Sequence, residues 1–179
     1  GYIKAEATNI IIGNSNTPES NHLDVIDKLK HKKLASSKVF VPLSYGQNDA
    51  YRKTVIKEGE SCFGDRFEPL LIFMERQQYL NILMSCSVGI FYHYRQQAMG
   101  NIIAMLYLGA RVYMYAKSPV YLYLKRNQIN VFDFDTDFDI YTIKKLPKTE
   151  VVANRKILET LFNKDKVNND LSNLIKLLS

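Results

Sequence analysis

The sequence has no apolar run approaching the ~20 residues that a helix needs to span a bilayer. Its longest, around Ile102 to Leu108, is far too short. It has only two cysteines, Cys62 and Cys86, with no CxxC spacing and no histidine nearby, so both thiols are expected free in a reducing compartment. No GxGxxG and no GxxxxGK[ST] occurs, which removes the dinucleotide fingerprint and the P-loop. There is no nucleophile elbow and no Ser-His-Asp arrangement, and His22, His31 and His93 show no ligand spacing. The opening Gly1-Tyr2-Ile3-Lys4 has neither an initiator Met nor an apolar signal segment. The expectation is a chain that begins inside a longer protein.

What remains is ordinary globular material. The chain has 179 residues, 46% hydrophobic and 23% charged, so disorder and collagen-like repeats are excluded. One domain over residues 1–179 can bury roughly 70% of its unfolded surface. The net charge of +6 comes from 24 Lys and Arg against 18 Asp and Glu, spread along the chain. No nucleic-acid partner is expected from that distribution. The densest block, Lys28 to Lys33, falls where a helix should end, where cations complement the carbonyl end of the dipole. Contact with an anionic lipid surface would account for it equally well.

Strands and helices alternate along the chain. Asn9 to Gly13 reads as a buried β-branched strand, and Thr17-Pro18-Glu19 supplies a cap, a first-turn proline and an acid to start a helix with Leu23, Ile26 and Leu29 inward. Lys38 to Leu43 is a second strand, Asn48 to Gly59 a helix stopped by its glycine, and Glu68 to Ile72 a third strand. Tyr79, Ile82, Leu83 and Cys86 recur at helical spacing. Val88 to Tyr92 is the fourth strand, and Ala98 to Leu108 is a helix apolar nearly all round, ended by Gly109. Arg111 to Tyr115 is a strand, Pro119 to Asn127 a helix, and Asn130 to Phe132 a sixth strand. C-terminal helices from about 150 to 179 lie near Asn154 to Phe162 and Val167 to Leu178.

This alternation predicts an α/β fold: a doubly wound, mainly parallel six-stranded Rossmann-like sheet with helices on both faces. In the order 3-2-1-4-5-6 the chain reverses between strands one and four, and ligands of such sheets bind at that crevice. Two polar loops converge there. Gly13-Asn14-Ser15-Asn16-Thr17 offers a glycine for close approach, hydroxyl and amide donors, and then a helix N-terminus suited to phosphate. It would serve equally to turn the chain and cap that helix. In His93-Tyr94-Arg95-Gln96-Gln97, Arg95 can hold two phosphate oxygens, Gln96 and Gln97 supply amides, and Gln97 opens another helix. Gly100 permits close approach, and Asn101 is polar on an apolar helix. The alternative has Arg95 capping a neighbouring helix and Asn101 as a satisfied core amide. Pro42 to Gly46, with Ser44 and Tyr45, either packs on a base or sugar or turns the chain. Asp133 to Asp139 lacks the glycine and glutamate of an EF-hand loop and reads as a solvated edge or loop with buried Phe, so no metal is expected.

Several of these segments together resemble a known family. They are Ile11-Ile12-Gly13-Asn14-Ser15 with Ser20-Asn21-His22, Val41 to Tyr45 with Asn48-Asp49-Ala50-Tyr51, Tyr79 to Leu83, and Arg95-Gln96-Gln97-Ala98-Met99-Gly100. The family is that of the bacterial TDP-N-acetylfucosamine:lipid II N-acetylfucosaminyltransferases, the 4-alpha-L-fucosyltransferases of enterobacterial common antigen synthesis. The resemblance runs from about Asn9 to Phe132. It implies the C-terminal, donor-binding domain of a two-domain GT-B glycosyltransferase, inverting and independent of metal or other cofactor. It also implies a dTDP-linked 4-acetamido-4,6-dideoxygalactose as donor. The acceptor would be a polyprenyl-diphosphate glycan, met through an N-terminal domain, at the cytoplasmic face of the inner membrane.

On that reading, Gly13, Asn14, Ser15, Ser44, Tyr45, Arg95, Gln96, Gln97, Gly100 and Asn101 are the candidate nucleotide-sugar-binding residues. Arg95 would neutralise the leaving diphosphate, while Gln97 and Asn101 orient hydroxyls. No catalytic residue is assigned, since the general base belongs to the other domain. Competing expectations are a non-catalytic nucleotide-binding module, a surface-polysaccharide transferase using another sugar and, further behind, a nucleotide-dependent oxidoreductase.

Overall fold

The computed structural model describes residues 2–34 and 36–163. Six strands form one sheet: β1 (Asn9–Ile12), β2 (Val39–Pro42), β3 (Phe67–Leu70), β4 (Cys86–Phe91), β5 (Arg111–Met114) and β6 (Phe132–Asp133). Their order is β3-β2-β1-β4-β5-β6, and every neighbouring pair is parallel. The helices are α1 (His22–Leu29), α2 (Asp49–Phe63), α3 (Arg76–Ser85), α4 (Met99–Leu108), α5 (Pro119–Arg126), the single turn α6 (Phe134–Asp137) and α7 (Lys148–Leu161). The doubly wound order inferred from sequence is the order observed, with the reversal between β1 and β4.

Successive side chains of a strand face opposite sides, and β1 shows what that does here. Ile10 and Ile12 join the core that packs against α1 and α2, whereas Ile11 joins the core under α3, α4, α5 and α7. All three are fully buried, each contributing on the order of 1.5–3 kcal/mol. β4 is buried at all six residues, as expected of a central parallel strand covered on both faces. These two strands are the rigid floor from which the loops at the carboxyl edge rise.

Several boundaries differ from the sequence reading. Pro18–Ser20 forms only a 3-10 turn; Asn21 then adopts a left-handed conformation (φ 50°), and α1 begins at His22. Its inward face is His22, Val25, Ile26 and Leu29, with Leu23 only partly covered. Gly59 does not stop α2, because it is pressed against the Phe67 ring where a β-carbon would overlap it; the helix runs on to Phe63. Cys86 belongs to β4, and of the residues proposed for the α3 inner face only Leu83 is buried within the helix. α4 is buried along Ile102, Met105, Leu106 and Leu108, but Tyr107 reaches solvent and its hydroxyl donates to Glu159 on α7. Gly109 ends α4 at φ 100°, as read from sequence. α7 starts six residues before Asn154, and the helix expected at Val167 to Leu178 lies outside the described residues.

Candidate functional site

The ladder between β1 and β4 ends with Ile12 beside Ile90, and the Gly13 N–H donates to the Ile90 carbonyl at 2.9 Å. Beyond that point the two polar loops stay together through side chains. His93 Nε2 meets Asn14 Oδ1 at 3.1 Å, Gln97 Nε2 donates to Thr17 Oγ1 at 3.3 Å, and Arg95 Nη2 pairs with Glu19 Oε1 at 2.7 Å. The first loop is also tied to the one after β2: Asn16 N–H donates to the Tyr45 carbonyl at 2.6 Å, and its Nδ2 to the Gly46 carbonyl at 3.4 Å. Asn21 Nδ2 donates to the Tyr92 carbonyl at 2.8 Å. Three βα connections therefore form one surface at the carboxyl edge of the sheet.

Beneath it lie two buried histidines. Gly13 takes φ 66°, and a β-carbon there would overlap the His22 imidazole. The glycine thus makes room for a ring of the protein itself, which is a different reason from the ligand approach expected of it. The Tyr51 hydroxyl accepts the His22 backbone N–H at 3.1 Å and lies 3.1 Å from Nδ1. Burial, then the charge of His93, draws His22 down to about 3. Burial likewise draws His93 down to about 4. Both rings are therefore neutral near neutral pH. Among the described residues, four of the six buried polar atoms without a hydrogen-bond partner belong to this junction: Asn16 Oδ1, His22 Nε2, His93 Nδ1 and Gln97 Oε1.

A cleft of about 490 Å³ opens beside the junction. Asn14, Ser44, Tyr45 and Asn101 line it as expected from sequence, together with Pro42 and Leu70 from strand ends and Ile72, Phe73 and Arg76 before and at the start of α3. Its lining joins these apolar side chains to the amides of Asn14 and Asn101, the Ser44 hydroxyl and the charges of Glu75 and Arg76. Asn101 Nδ2 donates to the Tyr79 hydroxyl at 3.0 Å, and burial pushes that phenol up to about 12. Tyr45, Ile72 and Phe73 are 74%, 77% and 84% exposed, enough to give the rim a broad apolar contact area. Arg76 is the cation of this cleft and was not among the sequence candidates. It follows a strand without any motif around it, so only its position at the head of α3 reveals it.

The other candidates are placed differently. Ser15 is buried, with its hydroxyl 3.3 Å from those of Ser20 and Thr17, so it braces the loop rather than presenting a donor. No helix N-terminus follows Thr17, because the 3-10 turn and the left-handed Asn21 intervene. Arg95 lies outside the cleft, largely exposed, and pairs with Glu19 on that turn; it caps no helix. Gln96 lines a separate cleft of about 370 Å³ with Met99, Val120 and Tyr123. Gly100 is exposed and a β-carbon there would meet nothing within 4 Å, so no neighbouring backbone requires it. The first turn of α4, whose leading N–H groups have no intrahelical acceptor, stands between the two clefts.

The aspartate-rich segment is a solvated edge with its phenylalanines turned inward. Phe134 and Phe138 are buried while Asp135 pairs with Lys28 at 2.7 Å and accepts from the Tyr92 hydroxyl. Among the described residues no cluster of His, Cys, Asp and Glu could hold a metal ion, and no helix is long and apolar enough to cross a membrane. In the lysine block, Lys30 pairs with Asp27 and Lys32 lies over the Phe138 ring.

Comparison with known proteins adds the family. The fold is similar to trehalose-6-phosphate synthase OtsA (TM-score 0.66, 13% identity, 96% of this chain and 43% of that one). It is also similar to AviGT4, a glycosyltransferase involved in avilamycin A biosynthesis (TM-score 0.57, 13% identity, 89% of this chain and 50% of that one). A third relative is the catalytic domain of the cholesterol-alpha-glucosyltransferase from Helicobacter pylori (TM-score 0.50, 11% identity, 96% of this chain and 98% of that one). The chain thus spans half or less of the length of the first two. At these identities the likeness shows the fold, that of a GT-B glycosyltransferase domain. The sequence matches glycosyl transferase group 56 over residues 2–173, reaching well past the Asn9 to Phe132 segment that first suggested it. The chain belongs to the 4-alpha-L-fucosyltransferase family, glycosyl transferase group 56.

Proposed function

We propose that this chain is the donor-binding half of a two-domain glycosyltransferase, which transfers a 4-acetamido-4,6-dideoxygalactose or related deoxysugar from a dTDP-sugar to a polyprenyl-diphosphate-linked glycan. The observation that supports this most is the cleft at the β1–β4 reversal, apolar at Leu70, Ile72 and Phe73 and polar at Asn14, Ser44 and Asn101. A nucleoside diphosphate joins the same two characters, with a flat base at one end and charged oxygens at the other. The base lies on the apolar side chains with the Tyr45 ring beside it, and the diphosphate turns toward Asn14 and the first turn of α4.

Breaking the anomeric bond leaves a nucleoside diphosphate with an additional developing charge, and donors already in place stabilise it best. Arg76 is in the cleft, and Arg95, on the loop after β4, is in an exposed ion pair that is readily exchanged for a phosphate. The reaction proceeds with inversion and without a metal ion, and the general base comes from the acceptor-side domain. The whole enzyme works at the cytoplasmic face of the inner membrane, where its acceptor lies.

Parallel calorimetric titrations of the chain with dTDP, UDP, GDP and ADP test the reading. Saturable binding with dTDP the tightest is the expected result. Indifference to all four nucleotides would remove the donor-domain assignment.

A further inference from the structure

Resting on that donor-site reading, we propose that His93 is a positioning residue: through Nε2 it holds Asn14 so that the asparagine presents its amide NH2, and not its carbonyl, to the cleft. The contact joins the first residue after Gly13 to the second residue after β4, across the line where the sheet reverses. It continues the β1–β4 ladder by one side-chain rung, placed where backbone pairing stops.

Three observations fix its polarity. Asn14 Oδ1 only accepts, so at 3.1 Å His93 Nε2 carries the hydrogen. A second donor, the Ser15 hydroxyl, lies 3.5 Å from the same Oδ1, on the protein side. Asn14 lines the cleft, and with its oxygen occupied by these two neighbours the group left for a ligand is Nδ2. The His93 ring is 2% exposed and stacks on Phe91 at 6.3 Å, so it has little freedom to turn away. A neutral imidazole owns one N–H; giving it to Asn14 leaves Nδ1 bare, and Nδ1 is one of the buried atoms without a partner. Burial keeps the ring neutral.

The consequence is selective. An asparagine free to flip would accept from a ribose or sugar hydroxyl as readily as it would donate to a phosphate or carbonyl oxygen. Locked by His93, Asn14 is a donor only, and the part of the ligand it meets is an acceptor oxygen of the nucleoside diphosphate. His93 itself touches no ligand.

The test has a readout that needs no nucleotide. In the 15N-labelled chain the His93 ring should give the Nε2–H tautomer; a ring protonated on Nδ1 at neutral pH overturns the proposal, whatever the chain binds. With dTDP as the probe, His93→Leu should weaken binding about 5- to 10-fold, the scale of one hydrogen bond. His93→Gln, whose amide nitrogen reaches the same place, should stay within about 2-fold. The double variant Asn14→Ala/His93→Leu should bind no more weakly than Asn14→Ala alone, because the histidine acts only through the asparagine. Equal binding by wild type and His93→Leu, additive losses in the double variant, or failure of His93→Gln to restore binding in a folded protein would each overturn it. Should His93→Leu not fold, the Gln variant and the tautomer decide. A wild-type chain that binds no nucleotide counts against the donor-site reading instead, and the tautomer still decides the positioning of Asn14.

Discussion

The two loops that meet at the β1–β4 reversal touch in several places, and two of those contacts are built on opposite principles. Asn14 to His93 is a hydrogen bond between a half-buried amide and a buried neutral ring. Glu19 to Arg95 is an ion pair of two charged groups, with side chains 43% and 69% exposed. In water such a pair contributes about 0–1 kcal/mol, since solvent screens it and two long side chains lose freedom to make it. The buried contact is stiffer although it carries no formal charge, because any other arrangement strands a polar atom away from water. One end of the junction fixes geometry, and the other holds a cation ready for exchange.

That contrast can be broken most severely by acid. His22 and His93, lowered to about 3 and about 4, would ionise near the ordinary histidine value once unfolded. The unfolded chain therefore binds more protons below about pH 6.5. Stability is whole above that pH and falls on acidification toward pH 4, by about 1.4 kcal/mol per pH unit for each histidine. Urea midpoints measured across this range should show the slope, and replacing His22 by Phe should remove about half of it. No slope above pH 4 would mean that the rings are not held neutral by burial.

Next in size is Gly13→Ala. It combines a positive φ with overlap of the His22 ring, and should cost about 3 kcal/mol in chemical denaturation. A loss below about 1 kcal/mol would show that the buried half of the junction yields easily. On the exposed half, Arg95→Ala should change stability by less than about 0.5 kcal/mol yet weaken dTDP binding by about 1.5–3 kcal/mol, the range for a hydrogen bond to a charged group. Calorimetry on the folded variant separates the two, and unchanged affinity would deny Arg95 any part in holding the diphosphate. The smallest change belongs to Glu19→Gln. Freed from its carboxylate, Arg95 should bind dTDP about 2-fold more tightly, with stability again within about 0.5 kcal/mol. Weaker binding would show that Glu19 positions the guanidinium rather than competing for it.

The legible parts of the fold were those governed by short-range pattern. β-branched runs ending at Gly13 and near Phe91, and Gly109 closing α4, depend on neighbours in sequence, and they appear where expected. The misread places are those where a distant side chain intrudes. Thr17-Pro18-Glu19 carries every local sign of a helix start, yet α1 begins later, at His22, whose ring must fit beneath Gly13 and whose backbone N–H meets Tyr51. Gly59 looks like a stop, but the ring of Phe67 lies against it and the helix continues.

For the site, Asn14, Ser44, Tyr45 and Asn101 could be named because topology sends the ends of β1, β2 and β4 to one edge. Ser15 could not be recognised as a brace, since Ser20 becomes its partner only through the 3-10 turn. His22 and His93 lack metal-ligand spacing, and the role of His93 lies in a contact between residues 79 positions apart, Asn14 and His93.

Periodicity and turn residues alone thus determined the alternating strands and helices, the parallel sheet and its reversal, because hydrophobic pattern and chain handedness leave few other ways to cover a sheet. Only the tertiary structure decided which polar groups face the cleft and which face one another. A buried donor or acceptor must find a partner in space, and sequence separation does not constrain which one it finds.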